Sequence, residues 1–115
     1  METLVLLTHS TTQTKKYDAT IFRYPENDNF DADNFHNPRG KKITFGAKGY
    51  SDYTIHKDDH RKNNYIKRHQ VNEDWEDLEK SGTWSRFILW NKPTLKASIR
   101  DMERRFNIKI LDMTD

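Results

Sequence analysis

Hydrophobic positions along this chain come in short, separated bursts, and their spacing predicts the elements. Leu4-Val5-Leu6-Leu7 is apolar, brief and close to the start, which favours a strand over a helix. Ser10 to Thr14 is polar enough to turn. Tyr17 to Tyr24 then alternates, with Tyr17, Ala19 and Ile21 set against Asp18 and Thr20, so the two runs read as a hairpin. Lys42-Ile43-Thr44-Phe45 resumes the alternation with Ile43 and Phe45 on one face, until Gly46 and Gly49 break it. Between these strands, residues 25–40 are rich in Asn and Asp, contain Pro25, Pro38 and Gly40, and follow no period. They read as a long loop, with Phe30 and Phe35 isolated in it.

The second half of the chain predicts helices. One is expected from about Thr54 to His69, capped by Asp52 or Thr54, with a thin apolar face of Ile55, Ile66, Tyr65 and the Lys62 stem. Trp75 and Leu78 mark a short acidic helix or turn closed by Gly82. Trp84-Ser85-Arg86-Phe87-Ile88-Leu89-Trp90 is the most apolar stretch and reads as core, with helix and strand both open for so short a run. The clearest element follows Pro93. Thr94 reads as an N-cap, Leu95, Ile99, Met102 and Phe106 keep helical spacing, and Asn107 closes the helix. Ile108 and Ile110 suggest a last short strand. These elements predict one α+β domain over residues 1–115. Its small antiparallel sheet (strands near 3–8, 17–24 and 41–46) is packed by helices near 54–69 and 94–106.

Composition narrows the chemistry. The chain has 115 residues, of which 33% are hydrophobic and 33% charged, so its core is small or is completed by a partner. Aromatics at 12% argue against a wholly disordered chain. Cysteine is absent, which excludes disulfides, thiolate catalysis and Cys-ligated zinc. The longest apolar runs are too short for a membrane span or a signal peptide, so a soluble intracellular domain is expected. The net charge is only +2, yet it is unevenly placed. Residues 41–69 sum to +5 and residues 81–106 to +4, on either side of a segment, 70–80, at −4. Such blocks either neutralise one another within the fold or leave a basic face for an anionic partner.

Catalytic patterns are weak. His56 and His60 have the i, i+4 spacing of metal ligands, but Lys57 stands where a zincin places its glutamate. A solvated helix face is the expectation, with no metal and no cofactor. Gly46-Ala47-Lys48-Gly49 lacks the spacing of a phosphate-binding Walker loop and reads as a turn. No nucleophile motif accompanies the five histidines, so no enzyme and no small-molecule substrate are expected. A basic stripe carries more. Lys57, Arg61 and Arg68 fall within about 40° of one another around a continuous helix, with Tyr65 beside them and Lys41, Lys42 and Lys48 preceding them. Cations of this kind contact phosphates, and interleaved aromatics stack on bases. Tyr50 and Trp75 join Trp84 and Trp90 as residue types that anchor interfaces.

Residues 41–107 carry two specific strings. One is Phe45-Gly46-Ala47-Lys48-Gly49-Tyr50-Ser51-Asp52-Tyr53, and the other is Leu89-Trp90-Asn91-Lys92-Pro93-Thr94. With His56-Lys57-Asp58, Arg61-Lys62, Tyr65-Ile66, Arg68-His69 and Arg105-Phe106, this stretch resembles a small uncharacterised family encoded by large double-stranded DNA viruses of eukaryotes. The Ser81-Gly82-Thr83-Trp84 segment departs from that pattern, and residues 1–40 lie outside it. The resemblance supplies no catalytic residues. It implies a viral protein of the virion, present in the host cytoplasm or viral factory during assembly. Two functions are therefore expected. The first is a non-enzymatic, minor capsid or virion-associated protein that bridges larger coat proteins. The alternative is a nucleic-acid-binding accessory protein using the basic helix 56–69. The contact residues proposed for either are Lys48, Tyr50, Lys57, Arg61, Tyr65, Arg68 and Trp75.

Overall fold

The alternation of the first half builds a sheet with an apolar centre on one face. The computed structural model describes residues 2–24 and 40–114; the stretch read as a long loop lies, Gly40 apart, outside the described residues. Strand β1 (Glu2–His9) pairs antiparallel with β2 (Lys15–Tyr24), and β2 pairs antiparallel with β3 (Lys41–Ala47). Val5 faces Ile21, Leu7 faces Ala19, Ala19 faces Ile43 and Tyr17 faces Phe45. Side chains alternate across a strand, so this register puts the whole apolar set on one side. Val5, Leu7, Ala19, Ile21, Ile43 and Phe45 are all buried there. Each of the larger side chains in this set contributes roughly 1.5–3 kcal/mol when removed from water.

Three helical pieces follow β3 before the covering layer. These are α1 (Tyr53–His56), α2 (Asp59–His69) and α3 (Ser81–Trp84). Helix α3 runs straight into a π-helical turn, Ser85–Leu89, in which the Trp90 N–H reaches back five residues to the Ser85 carbonyl at 3.1 Å. The wider turn rotates the chain so that Phe87, Ile88 and Leu89 are all buried, which a regular amphipathic helix would not achieve for three consecutive residues. Helix α4 (Leu95–Phe106) starts where Thr94 Oγ1 accepts from the Ala97 N–H at 3.2 Å and stops at Asn107, whose φ of 52° is left-handed. The π turn and α4 cover the apolar face of the sheet, with Trp84, Ile88 and Met102 fully buried between the layers.

One polar node locks that layer. Asp101, on α4, is buried and accepts from Asn91 Nδ2 at 2.7 Å and Arg105 Nε at 2.6 Å, and also from Arg104. Asn91 Nδ2 also donates to the Phe87 carbonyl at 3.2 Å, which ties the π turn to α4. Burial alone would raise the Asp101 pKa. The hydrogen bonds from Asn91, Arg105 and Arg104 outweigh it and hold the carboxyl well below the usual carboxylate range.

The fold is α+β, with four corrections to the sequence reading. The sheet is mixed, because β4 (Lys109–Asp112) pairs with β1 in parallel, Ile110 opposite Val5, in the order β3-β2-β1-β4. The chain crosses under the sheet through α3 and α4 and therefore returns along β1 in the same direction. The helix expected over 54–69 is two helices. Lys57 adopts φ 57°, and Asp58 caps a new start by accepting from the His60 and Arg61 N–H groups at 2.9 and 3.3 Å. A second capping aspartate in mid-run satisfies those donors locally and ends the first helix. Residues 70–80 form turns, one of the two states expected around Trp75 and Leu78, but Gly82 lies inside α3 instead of closing that segment. Finally, the sheet is covered by the π turn and α4, while α2 stands beside this core.

Candidate anion-binding cleft

Helix α2 is docked beside the core by an aromatic sandwich. The Tyr65 ring stacks on Trp90 at 4.4 Å with planes 3° apart, and on His69 at 4.2 Å and 24°. Two rings at that distance cannot share a face, so both faces of Tyr65 are covered. Burial, followed by the nearby Glu73 charge, pushes its phenol pKa up to about 12. Lys62 adds a second tether. Its ammonium donates to the Asn91 carbonyl at 3.1 Å and lies 4.6 Å from the centre of the Tyr53 ring. With Tyr65 and Lys62 turned to the core, the same helix presents Arg61 and Arg68 to solvent, seven residues apart and so on one side.

The facing wall comes from the sheet. Lys16, in β2, donates to Asp52 Oδ2 at 2.5 Å and to the Tyr50 carbonyl at 2.6 Å, which fixes the 50–52 turn against the strand. Asp52 is buried and also caps α1 by accepting from the Thr54 N–H at 2.9 Å. Gly46 completes the floor. Its φ is 79°, and an added Cβ would lie 2.9 Å from Leu89 Cδ1 and 3.1 Å from Lys16 Cβ, so only glycine lets β3 meet the π turn here.

A cleft of about 470 Å³ opens between these walls. Lys15, Lys16, Arg61, Arg68 and His69 bring it cationic or protonatable groups, and Thr44, Ser51, Ser81 and Ser85 bring hydroxyl-bearing side chains. Tyr50 stands at the rim, 74% exposed. The carboxylates nearby are already engaged. Asp52 is spent on Lys16, and Glu73 bridges His69 Nδ1 at 3.1 Å and Trp75 Nε1 at 2.6 Å. Arg61 and Arg68 have no carboxylate within ion-pair distance among the described residues, in contrast to Arg23, Arg104 and Arg105. A second recess of about 240 Å³ adjoins the first, lined by Arg61, Asn64, Arg68 and Trp90.

The structure brings Tyr50, Arg61, Tyr65 and Arg68 together around the larger cleft. It does not bring the other three expected contact residues there. Lys57 sits at the left-handed break, outside the stripe proposed for it, and its ammonium caps the Thr54 carbonyl at 2.7 Å. Lys48 is exposed on the turn after β3, its N–H donating to the Thr14 carbonyl at 2.9 Å. Trp75 is half-buried against the core, with the Arg86 guanidinium 5.4 Å from its ring centre. His56 and His60 fall on different helices. His56 Nδ1 accepts from the Asp58 N–H at 2.9 Å, and among the described residues no three His, Asp or Glu side chains gather as a metal site would need. Lys15, Lys16 and the Ser81–Ser85 wall escaped the sequence reading, since no local pattern marks residues that meet only in the fold.

Residues 5–69 match a family of unknown function, DUF5754. The chain belongs to this family. The match takes in β1 from Val5 onward, β2, β3 and all of α2, and therefore Lys16, Gly46, Asp52, Arg61, Tyr65 and Arg68, whereas the Ser81–Trp90 wall lies beyond it. It also takes in most of the first forty residues, which the viral resemblance left out. Neither a curated protein nor a solved structure matches the chain. Among the described residues, no helix is long and apolar enough to cross a membrane.

Proposed function

We propose that this domain binds nucleic acid without catalysis, holding the phosphate backbone in the cleft beside α2. The observation that supports it is the pair of guanidiniums, Arg61 and Arg68, which face one concavity with no carboxylate partner among the described residues. Guanidinium groups suit phosphate oxygens because their donors form a planar fork. The basic block from 41 to 69 adds a local field that the overall charge conceals.

Fluorescence anisotropy with a labelled oligonucleotide at two salt concentrations tests this. Each phosphate that a protein neutralises on a single strand adds roughly 0.7 to the log–log salt slope, so Arg61→Ala with Arg68→Ala lowers affinity and flattens that slope by about 1.4. Lys57→Ala, outside the cleft, changes neither. No binding even at low salt, where electrostatics is most generous, ends this reading.

A second reading, a virion-associated protein bridging larger coat proteins, draws support from the opposite face of the sheet. Leu4, Leu6 and Phe22 are only half-buried there, and Leu111 is 41% exposed. Apolar side chains left on one sheet face are material for a protein contact. Abundant recovery of the protein from purified virions supports bridging, and recovery with the genome fraction supports the cleft.

A further inference from the structure

Arg61, Arg68 and Trp90 line both recesses, so the two cavities share a wall beside α2 and make up a two-part groove with these arginines at its middle. Its larger end holds about 470 Å³, the size range of pockets that enclose a single small molecule. A duplex therefore meets only the rim, whereas one unpaired strand can enter. Reading the base edges of a duplex also calls for an element that enters its groove, and here the two arginines border a concavity.

The side chains fit that occupant. Tyr50 is 74% exposed, while its own carbonyl is pinned by Lys16 at 2.6 Å, so an aromatic face is offered from a fixed turn. Tyr65 cannot serve as a platform, because Trp90 and His69 already cover it. Asn64, in the smaller recess, offers an amide able to donate to and accept from a base edge or sugar. Cations that track a backbone, with an exposed aromatic beside them, are the arrangement that holds unpaired strands with little regard for sequence.

We infer that the groove selects single-stranded over duplex nucleic acid and spans at least two nucleotides, with Tyr50 stacking on a base in the larger recess and Arg61 and Arg68 holding the phosphates between the recesses. This rests on the nucleic-acid reading above. Labelled twelve-residue oligothymidylate and a duplex of equal length separate the two claims. The single strand is expected to bind at least tenfold more tightly, and unlabelled dithymidylate to compete better than thymidine monophosphate. Tyr50→Ala, at an exposed position that leaves the fold intact by circular dichroism, weakens the single strand at least about fivefold, changes duplex affinity less than about twofold because paired bases are not free to stack on it, and leaves the salt slope unchanged. Equal or tighter duplex binding, equal competition by the monophosphate, or a Tyr50→Ala effect of the same size on both probes overturns the inference while the cleft remains a nucleic-acid site. Absence of binding by either probe at low salt overturns both.

Discussion

Replacing Asp101 by Asn removes a buried negative charge and almost no volume, so the change isolates electrostatics from packing. The side chain of Asp101 is 3% exposed and serves three donors. Two of them, Arg104 and Arg105, have side chains 77% and 48% exposed, so solvent screening limits each pair to about 1 kcal/mol or less. The third, the buried Asn91 amide, gives a hydrogen bond to a charged acceptor worth about 1.5–3 kcal/mol. Asp101→Asn retains one acceptor oxygen, and a net cost of about 2–4 kcal/mol at pH 7 is expected. Arg104→Ala, at the exposed end of the same node, costs under about 1 kcal/mol.

The pH dependence gives a sharper check. The Asp101 pKa is depressed in the folded state, so its contribution is complete above the unfolded value of about 3.9 and is lost as pH falls towards the folded value. At pH 3 the unfolded chain has largely taken up its proton while the folded one has not. The advantage of wild type over Asp101→Asn should therefore shrink by roughly 1 kcal/mol between pH 7 and pH 3. Urea denaturation of both proteins at the two pH values measures this, and every other carboxylate cancels in the difference. A gap that stays constant with pH, or an Asp101→Asn loss no larger than that of Arg104→Ala, refutes the charge argument.

Two further outcomes follow from packing and backbone. Ile99 is buried on α4 and Arg100 is exposed beside it, so by denaturation Ile99→Ala should cost about 2–5 kcal/mol and Arg100→Ala well under 1. Lys57→Gly should raise the thermal midpoint and add up to about 1 kcal/mol, because glycine takes the left-handed conformation at Lys57 without the Cβ penalty; a drop in the midpoint would mean that the hydrogen bond from Lys57 to the Thr54 carbonyl outweighs that relief.

What the sequence determined on its own is whatever a local period or cap encodes. The 17–24 and 41–46 alternation, the hairpin with β1, and the helix from Thr94 to Asn107 all emerge within a residue or two of their observed places. Each is set by neighbours in the chain, such as a two-residue repeat, a 3.6-residue repeat, a threonine cap or a left-handed stop. Arg61 and Arg68 were legible for the same reason, since both lie on one unbroken helix. Long-range packing decided the rest. Nothing local requires β4 to run parallel to β1, because that follows from where α4 leaves the chain beneath the sheet. The break at Lys57 hung on two competing aspartate caps, and the periodicity of a thin apolar face could not choose between them. The π turn lets three consecutive side chains sink into the core, a geometry that no regular period describes. The cleft itself joins residues from 15 to 90, drawn together by Gly46 meeting Leu89 and by Tyr65 stacking on Trp90. Contacts between side chains so far apart in the chain leave no spacing to read, and they exist only once the sheet and its helical layer have closed.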